Sequence, residues 1–254
     1  MKVVRTIAEL QPEPGAGLVP TMGAFHDGHR ALFRAARAEN ERVVASLFVK
    51  PAQFEEQADL ERYPRDEARD LEIAAAGGVD VVFAPAPEEL YPTGFATWVE
   101  PHEAGAEGTA RPGHFRGVAT VCLKLFNLVR PARAYFGQKD AQQVVVIRRL
   151  VRDLNVPVAI RVVPTVRDPD GLALSSRNDR LSAEERERAL GLPRALASAA
   201  REPDPVNAAY ASLNGLVPDY VEVLDLGDAK VLAAAIRVGS TRLIDNVLLE
   251  GEIR

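Results

Sequence analysis

The chain has 254 residues, of which 47% are hydrophobic and 26% are charged, and its formal net charge at pH 7 is −5. These proportions are typical of a soluble globular protein and exclude a largely disordered chain. The negative balance, with both signs interspersed, argues against a protein that binds nucleic acid through a broad basic face. No window approaches the roughly 20 apolar residues that a membrane-spanning helix needs. The single cysteine, Cys122, excludes an intrachain disulfide and favours a reducing cytoplasm.

The first unit of the chain is predicted to be a strand, a glycine-bearing turn and a helix. An apolar run that begins at Leu18 stops at Pro20, the turn carries His26 and His29, and residues 30–39 have helical spacing. Backbone N–H groups and the positive end of the helix dipole favour an anion at such a turn. Spacing alone also allows a helix cap with a surface histidine, or half of a metal site.

Strands and helices alternate over the next part of the chain. Each predicted strand is a short apolar run, and each predicted helix has apolar residues on one face. We predict further strands at residues 42–49, 79–83, 134–137 and 158–163, with helices at 65–77, 116–129 and 140–154, and Cys122 packed within the second of these helices. The alternation predicts an α/β fold with a Rossmann-like, doubly wound, mostly parallel sheet. A long excursion at residues 94–113 is expected to be a binding loop.

The pattern changes after residues 164–171, which are rich in turn-forming residues and suggest a hinge. Ser182 and Glu185 form a capping-box pattern for a helix running toward residue 200. A helix at 206–216 and strands at 220–224, 235–238 and 242–249 complete a small α+β unit. We therefore predict two domains, a larger α/β domain at 1–165 and a smaller α+β domain at 166–254.

Long motifs in a fixed order carry a resemblance to a known family. They are PTMGAFHDGH at residues 20–29, FVKPAQF at 48–54, GHFRGVAT at 113–120, YFGQKDAQQ at 135–143 and PTVRDPDGLALSSRN at 164–178. The first resembles the HxGH signature of the nucleotidyltransferase superfamily. Together the motifs resemble the pantothenate synthetase family, the pantoate–β-alanine ligases.

The resemblance implies a two-step reaction. Pantoate and ATP would give pantoyl adenylate and pyrophosphate, and the amine of β-alanine would then displace AMP to form pantothenate. Mg²⁺ is implied by the ATP chemistry, and an ion held by phosphates and water needs no dedicated carboxylate cage. The resemblance also implies that residues 1–165 bind the nucleotide and pantoate, that residues 166–254 form a lid, and that the protein is a homodimer acting on small molecules. The cytoplasmic location, and the expectation of neither nucleic acid nor a membrane as a partner, come from the cysteine count, the charge and the hydropathy.

The resemblance also implies roles for individual residues. The catalytic set is His26, His29, Lys139 and Arg177, and the pantoate contacts are Met22, Gln53 and Gln143. The ATP contacts are Pro20, Thr21, Met22, His26, Gly28, His29, Gly137, Lys139, Asp140, Val166, Leu174, Ser175, Ser176 and Arg177. Several alternatives stay open. Lys139 could also be an exposed lysine in a turn. Asp140 could contact the ribose or cap a helix, and Gln143 could be the capping-box partner of Asp140. His114 is expected near the site or in support of a loop.

Two positions depart from the family pattern. Lys50 stands where asparagine is usual, which replaces an amide with a cation that only donates, so the role of that position is not carried over. Leu174 stands where methionine is common. The alternatives to the ligase are another HxGH nucleotidyltransferase, a nucleotide-binding regulatory domain without turnover, and a zinc protein built on His26 and His29.

Overall fold

A six-stranded sheet is the framework of residues 1–163. The computed structural model describes residues 1–48, 66–102 and 105–253. The strands are β1 Lys2–Val4, β2 Gly17–Thr21, β3 Val43–Leu47, β4 Val81–Phe83, β5 Arg133–Gly137 and β6 Ala159–Val163. Their order is β1-β4-β3-β2-β5-β6 and the described pairings are parallel. The doubly wound sheet predicted from the sequence is confirmed.

Helices cover both faces of this sheet, and each face has its own apolar core. The helices are α1 Asp27–Glu39, α2 Glu67–Ala76, α3 Pro87–Leu90, α4 Ala106–Ala110, α5 His114–Val129 and α6 Ala141–Asp153. Phe33 and Ile73 are buried on one face, and Phe126 and Ile147 on the other. Cys122 is buried within α5, as predicted. Because helices pack on both faces, the central strands β2, β3 and β4 are largely buried along their whole length.

The C-terminal part is a smaller α+β unit. Its helices are α7 Ala183–Ala189, α8 Gly191–Ala199 and α9 Pro205–Ser212, and its strands are β7 Pro218–Asp225, β8 Ala229–Val238 and β9 Thr241–Gly251. The strands form an antiparallel sheet in the order β7-β8-β9. A core that includes Leu196, Leu232 and Ile236 lies between helices and sheet. Within the described part of the chain, no helix is both long and apolar enough to cross a membrane.

Some elements differ from the sequence-based expectation. The edge strand β1 was not predicted, because three residues give too little periodicity to recognise. The single helix expected after Ser182 is two helices that meet at Leu190, just before Gly191 and Pro193. The helix expected to reach residue 216 ends at Ser212. β8 begins at Ala229, earlier than expected, since its run of alanines is a weak strand signal.

The strand order places a topological switch point at the centre of the sheet. From β2 the chain proceeds through β3 to β4 on one side, while β5 and β6 lie on the other side. β2 and β5 are direct neighbours, so the turns that follow them diverge from adjacent strand ends. Ligands of open α/β sheets bind in the crevice outside the carboxyl ends at such a point.

Candidate functional site

A cleft of about 480 Å³ lies at the carboxyl edge of the parallel sheet, beside the switch point. A volume of this size is in the range of small-molecule sites. Its walls come from the turn after β2, the turn after β5, the segment after β6 and strands β8 and β9. Of the predicted site residues, its lining includes Met22, His26, Gly28, His29, Gly137, Lys139, Asp140, Val166, Leu174, Ser175, Ser176 and Arg177.

The two histidines cap the helix that they begin. His26 is the N-cap of α1, and its Nδ1 accepts a hydrogen bond from the N–H of Gly28 at 3.1 Å. Nδ1 of His29 accepts from the N–H of His26 at 3.3 Å, which completes a reciprocal capping box. The ring of His26 lies so close to Gly28 that an added Cβ would come within 2.8 Å of it. Glycine at this position therefore lets the ring fold over the turn.

Both histidines are neutral at physiological pH. Desolvation, reinforced by the Lys139 cation, lowers the pKa of His26 to about 4. Desolvation, together with His26 and Lys139, lowers the pKa of His29 to about 3. Because Nδ1 of each ring accepts a backbone hydrogen bond, the single proton of each neutral ring resides on Nε2. The cap thus leaves two Nε2–H groups available as donors.

A buried carboxylate fixes the turn between β2 and α1. Asp70 of α2 accepts hydrogen bonds from the N–H groups of Ala24 at 2.9 Å and Phe25 at 2.7 Å. Ala24 has φ of 53° and Gly23 has φ of 93°, so the turn passes through the left-handed region twice. Desolvation raises the pKa of Asp70, and the two backbone donors oppose that rise. The carboxylate holds a turn whose conformation is unfavourable for alanine.

Lys139 follows β5 in a short 3₁₀ turn, Gln138–Asp140. Its Nζ donates to the carbonyl of Leu174 at 2.7 Å, so it joins the β5 turn to the segment after β6. Desolvation lowers the pKa of Lys139 to about 8, against the favourable charge of Asp140. The alternative of a solvent-exposed lysine does not hold, because the side chain is half-buried in the cleft wall.

Asp140 is the N-cap residue of α6 by position, yet its side chain makes no capping hydrogen bond. The helix-cap alternative for Asp140 was therefore wrong, and so was the capping-box alternative for Gln143. The Asp140 carboxyl group opens onto the cleft, whose walls displace bulk water and raise its pKa by desolvation, while Lys139 opposes the rise. Gln143 lines a small recess beside the cleft, together with His114.

The segment after β6 folds back on itself as a small hairpin. Arg167 and Ala173 form an antiparallel bridge, and the N–H of Leu174 donates to the carbonyl of Val166 at 3.0 Å. The hairpin brings residues 174–177 to the cleft. Ser175 Oγ accepts from the N–H of Arg177 at 3.2 Å. Hydroxyl groups and a guanidinium group suit phosphate oxygens.

Two predicted site residues of β2, Pro20 and Thr21, are not part of the cleft lining. Thr21 is buried in β2, and its hydroxyl group donates to the carbonyl of Ser46. Gln53 lies outside the described residues, so its predicted contact with pantoate stays a prediction. Lys50, to which no role was carried over, lies outside them as well.

Sequence reasoning missed the part of the cleft wall that carries further charges. Glu107 and Arg111 belong to the excursion expected to form a binding loop, and Arg237, Ser240 and Arg242 come from the β8–β9 hairpin. None lies in a recognisable motif, because these side chains come together only through the tertiary fold. Among the described residues, no group of three His, Cys, Asp or Glu side chains is arranged to hold a metal ion.

The fold and the site together define a class of protein. At the switch point of the doubly wound sheet, the histidine-capped N-terminus of α1 shares a cleft with the lysine turn (residues 138–140) and the Ser-Ser-Arg segment (residues 175–177). This is the arrangement of an α/β enzyme with an anion-binding cleft. The family model described as pantoate-beta-alanine ligase matches residues 1–248. The chain belongs to the pantoate–β-alanine ligase family.

Similar proteins agree with this assignment over nearly the full chain. A pantothenate synthetase of Roseiflexus sp. (strain RS-1) is 51% identical, with 98% of this chain and 100% of the relative covered. A pantothenate synthetase of Chloroflexus aurantiacus is also 51% identical, with 99% of each covered.

Solved structures show the same similarity. The crystal structure of pantothenate synthetase from Thermus thermophilus has a TM-score of 0.93 at 46% identity, covering 98% of this chain and 99% of that one. A pantoate-β-alanine ligase from Francisella tularensis, complexed with β-γ ATP and β-alanine, has a TM-score of 0.85 at 36% identity, with 99% of each chain covered.

Proposed function

We propose that this chain condenses pantoate with β-alanine at the expense of ATP, through a pantoyl-adenylate intermediate. The observation that carries the proposal is the convergence, on one cleft, of His26 and His29, Lys139 and the 174–177 segment. Membership of the ligase family supplies the substrate pair. In the first step a pantoate carboxylate oxygen attacks the α-phosphorus of ATP and pyrophosphate leaves. In the second step the uncharged amine of β-alanine attacks the acyl carbon and AMP leaves.

The cleft residues have two tasks in this reaction, to stabilise developing negative charge and to orient the nucleotide. Negative charge grows on the leaving pyrophosphate, so donors fixed in advance lower the barrier most. The Nε2–H groups of His26 and His29, with the cations of Lys139 and Arg177, are such donors. Ser175, Ser176 and the backbone of the 137–140 turn would orient the nucleotide. No side-chain nucleophile is needed, because the pantoate carboxylate is the nucleophile.

Pantoate binding is assigned to Met22, Gln143 and Gln53. Met22 offers an apolar surface in the cleft, and amides both donate and accept, which suits a ligand with hydroxyl groups and a carboxylate. Mg²⁺ would enter with ATP, held by its phosphates and by water. We also propose that residues 166–254 act as a lid, and that the protein is a homodimer located in the cytoplasm. The lone buried Cys122 fits a reducing compartment.

Product analysis tests this proposal. The purified chain is incubated with ATP, Mg²⁺, pantoate and β-alanine, and omission of each substrate serves as control. Pantothenate and AMP are expected in equal amounts, with no ADP. Formation of ADP, or AMP release that does not depend on pantoate, would contradict the proposal.

A further inference from the structure

A buried asparagine of the C-terminal sheet holds the turn that carries Lys139. Asn246 lies on β9 and is only 1% exposed. Its Nδ2 donates to the carbonyls of Gln138 at 2.9 Å and Lys139 at 3.1 Å. Its Oδ1 accepts from Nε2 of Gln138 at 2.8 Å. One side chain therefore satisfies both backbone carbonyls and the neighbouring amide of the turn.

The preceding residue, Asp245, holds the hairpin that follows β6. Asp245, which is 2% exposed, accepts from both terminal nitrogens of Arg167, at 2.6 and 3.0 Å. Arg167 pairs with Ala173 in the hairpin that leads into residues 174–177. It also donates to the carbonyls of Gly171 and Asn246. Two consecutive residues of β9 thus anchor the lysine turn and the Ser-Ser-Arg segment to one strand.

The donors that satisfy the carbonyls of this turn come from outside the turn. A 3₁₀ turn at the surface can satisfy its carbonyls with water, yet here a distant strand supplies the donors at a nearly dry contact. Nζ of Lys139 is in turn bonded to the Leu174 carbonyl at 2.7 Å, so the lysine spans both anchored segments. A shift of the turn by about 1 Å would misplace the ammonium group, and misplacement on that scale costs about 100-fold in rate.

We propose that Asn246 is a positioning residue for Lys139, and that the C-terminal sheet thereby sets the geometry of adenylate formation. The rate measurement that tests this inference rests on the proposed function, whereas the measurement of Lys139 labelling does not. The charged and titratable groups around Lys139 are Asp140, Asp245, Arg167, Arg177, His26 and His29. Asn246 is uncharged, so its replacement by alanine acts through position and hydration.

The test compares two uncharged replacements, Asn246→Ala and the similarly branched Asn246→Leu, which lacks the N–H donors, with a matched control. The control is Asn40→Ala. Asn40 is also buried and hydrogen-bonded, but it lies at the C-terminal end of α1, whereas His26 lies at the N-terminal end. Pantoyl-adenylate formation is measured by rapid quench. Both Asn246 variants are expected to lose about 100-fold in kcat for adenylation, with KM values for ATP and pantoate within about threefold. Asn40→Ala is expected to lose stability without that loss in kcat.

A second readout does not depend on activity. The pH dependence of Lys139 acylation by a small amine-reactive reagent is followed by peptide mass spectrometry. Wild type is expected to react with a midpoint near the lowered pKa of about 8, and Asn246→Ala with a higher midpoint, because the released lysine gains water. An inactive wild type that still shows this shift would refute the proposed function and keep the positioning role. Folded Asn246 variants with unchanged kcat and labelling, or failure of both to fold while Asn40→Ala folds, would overturn the role.

Discussion

The hydrogen bonds of individual side chains separate catalytic candidates from structural residues. Gln142 and Gln143 are neighbours on α6 with different surroundings. Gln142 is buried, and it accepts from the N–H of Gly108 and donates to the carbonyl of Gly105. Gln143 faces the recess beside the cleft. Since Asp140 makes no capping bond, Gln143 has no part in a capping box.

Gln143→Ala is expected to raise the KM for pantoate, by about 1–3 kcal/mol in binding free energy, because a polar contact is lost. Its melting temperature should stay near that of wild type. Gln142→Ala is the matched control and is expected to melt earlier while keeping its pantoate KM. Steady-state kinetics and thermal melts of both variants decide the matter. A Gln143 variant that melts early but binds pantoate normally would remove this glutamine from the substrate contacts.

Lys139 is expected to produce a pH dependence. Its pKa is lowered to about 8, so the ammonium form is present below that pH and is lost above it. The kcat/KM for ATP in adenylation, which reports the free enzyme, should fall as pH rises past about 8. Lys139→Arg keeps its charge and should remove this limb, while Lys139→Ala should be slow at every pH. Rapid-quench assays without β-alanine avoid the titration of its amine. A limb that persists unchanged in Lys139→Arg would show that another group titrates.

Helix α1 combines a structural and a chemical role at one residue. His26 caps the helix through Nδ1 and leaves Nε2–H for a ligand. Asparagine is among the best N-cap residues but lacks a donor at the position of Nε2.

His26→Asn is therefore expected to melt within a few degrees of wild type and to form adenylate about 100-fold more slowly, the loss typical of removing one transition-state donor. His26→Ala should lose about 1 kcal/mol of stability as well, because the cap is gone. Circular dichroism melts and single-turnover quench measurements provide the two readouts. Normal adenylation in His26→Asn would assign the histidine to the cap alone.

The contact between α2 and the HxGH turn allows a similar separation. Asp70 accepts two backbone N–H groups at the turn, while Asp80 accepts the N–H of Val43 at 2.8 Å at the amino end of β3. Asp70→Asn and Asp80→Asn should each cost about 1–3 kcal/mol, measured by urea unfolding, because an amide cannot accept from every donor. Only Asp70→Asn is expected to slow adenylation as well. Equal effects on rate would contradict a specific role for Asp70.

At the scale of the whole molecule, a buried ion pair connects the two parts of the chain. Arg242 of β9 donates to both oxygens of Glu107 in α4, at 2.6 and 3.0 Å, and to Asp219 of β7 at 2.7 Å. Glu107 is only 7% exposed. Removal of Arg242 takes away both hydrogen bonds from the buried Glu107 carboxylate and leaves it the more distant Arg111, at 3.6 Å. Loss of a partner from a buried ion pair costs far more than an exposed pair contributes.

Arg242→Ala is expected to lower the free energy of unfolding by about 3–5 kcal/mol. The control is Arg237→Ala, since the exposed Arg237 approaches Asp219 only at 3.8 Å, and its loss should cost less than about 1 kcal/mol. Guanidinium unfolding of both variants gives the comparison. An Arg242→Ala variant as stable as Arg237→Ala would show that the pair does not hold the two parts together.

Local patterns explain why much of the fold and the site could be predicted. Apolar runs bounded by turn residues predicted most strands of the parallel sheet, and the cleft motifs are contiguous in sequence. Asn246 and Arg242 could not be found in this way, since each is one polar residue on an amphipathic strand. Their roles depend on partners more than 100 residues away. The alanine-rich β8 and the three-residue β1 carry weak local signals and form through pairing with their neighbours.

The exchange of labelled pyrophosphate into ATP, with pantoate present and β-alanine absent, tests the proposed chemistry most directly, because it requires reversible formation of pantoyl adenylate. Wild type is expected to exchange label at a rate that saturates with pantoate and falls to background without it. Lys139→Ala is expected to be near background under all conditions. Exchange that does not need pantoate, or that appears only when β-alanine is added, would contradict an adenylate formed in this cleft.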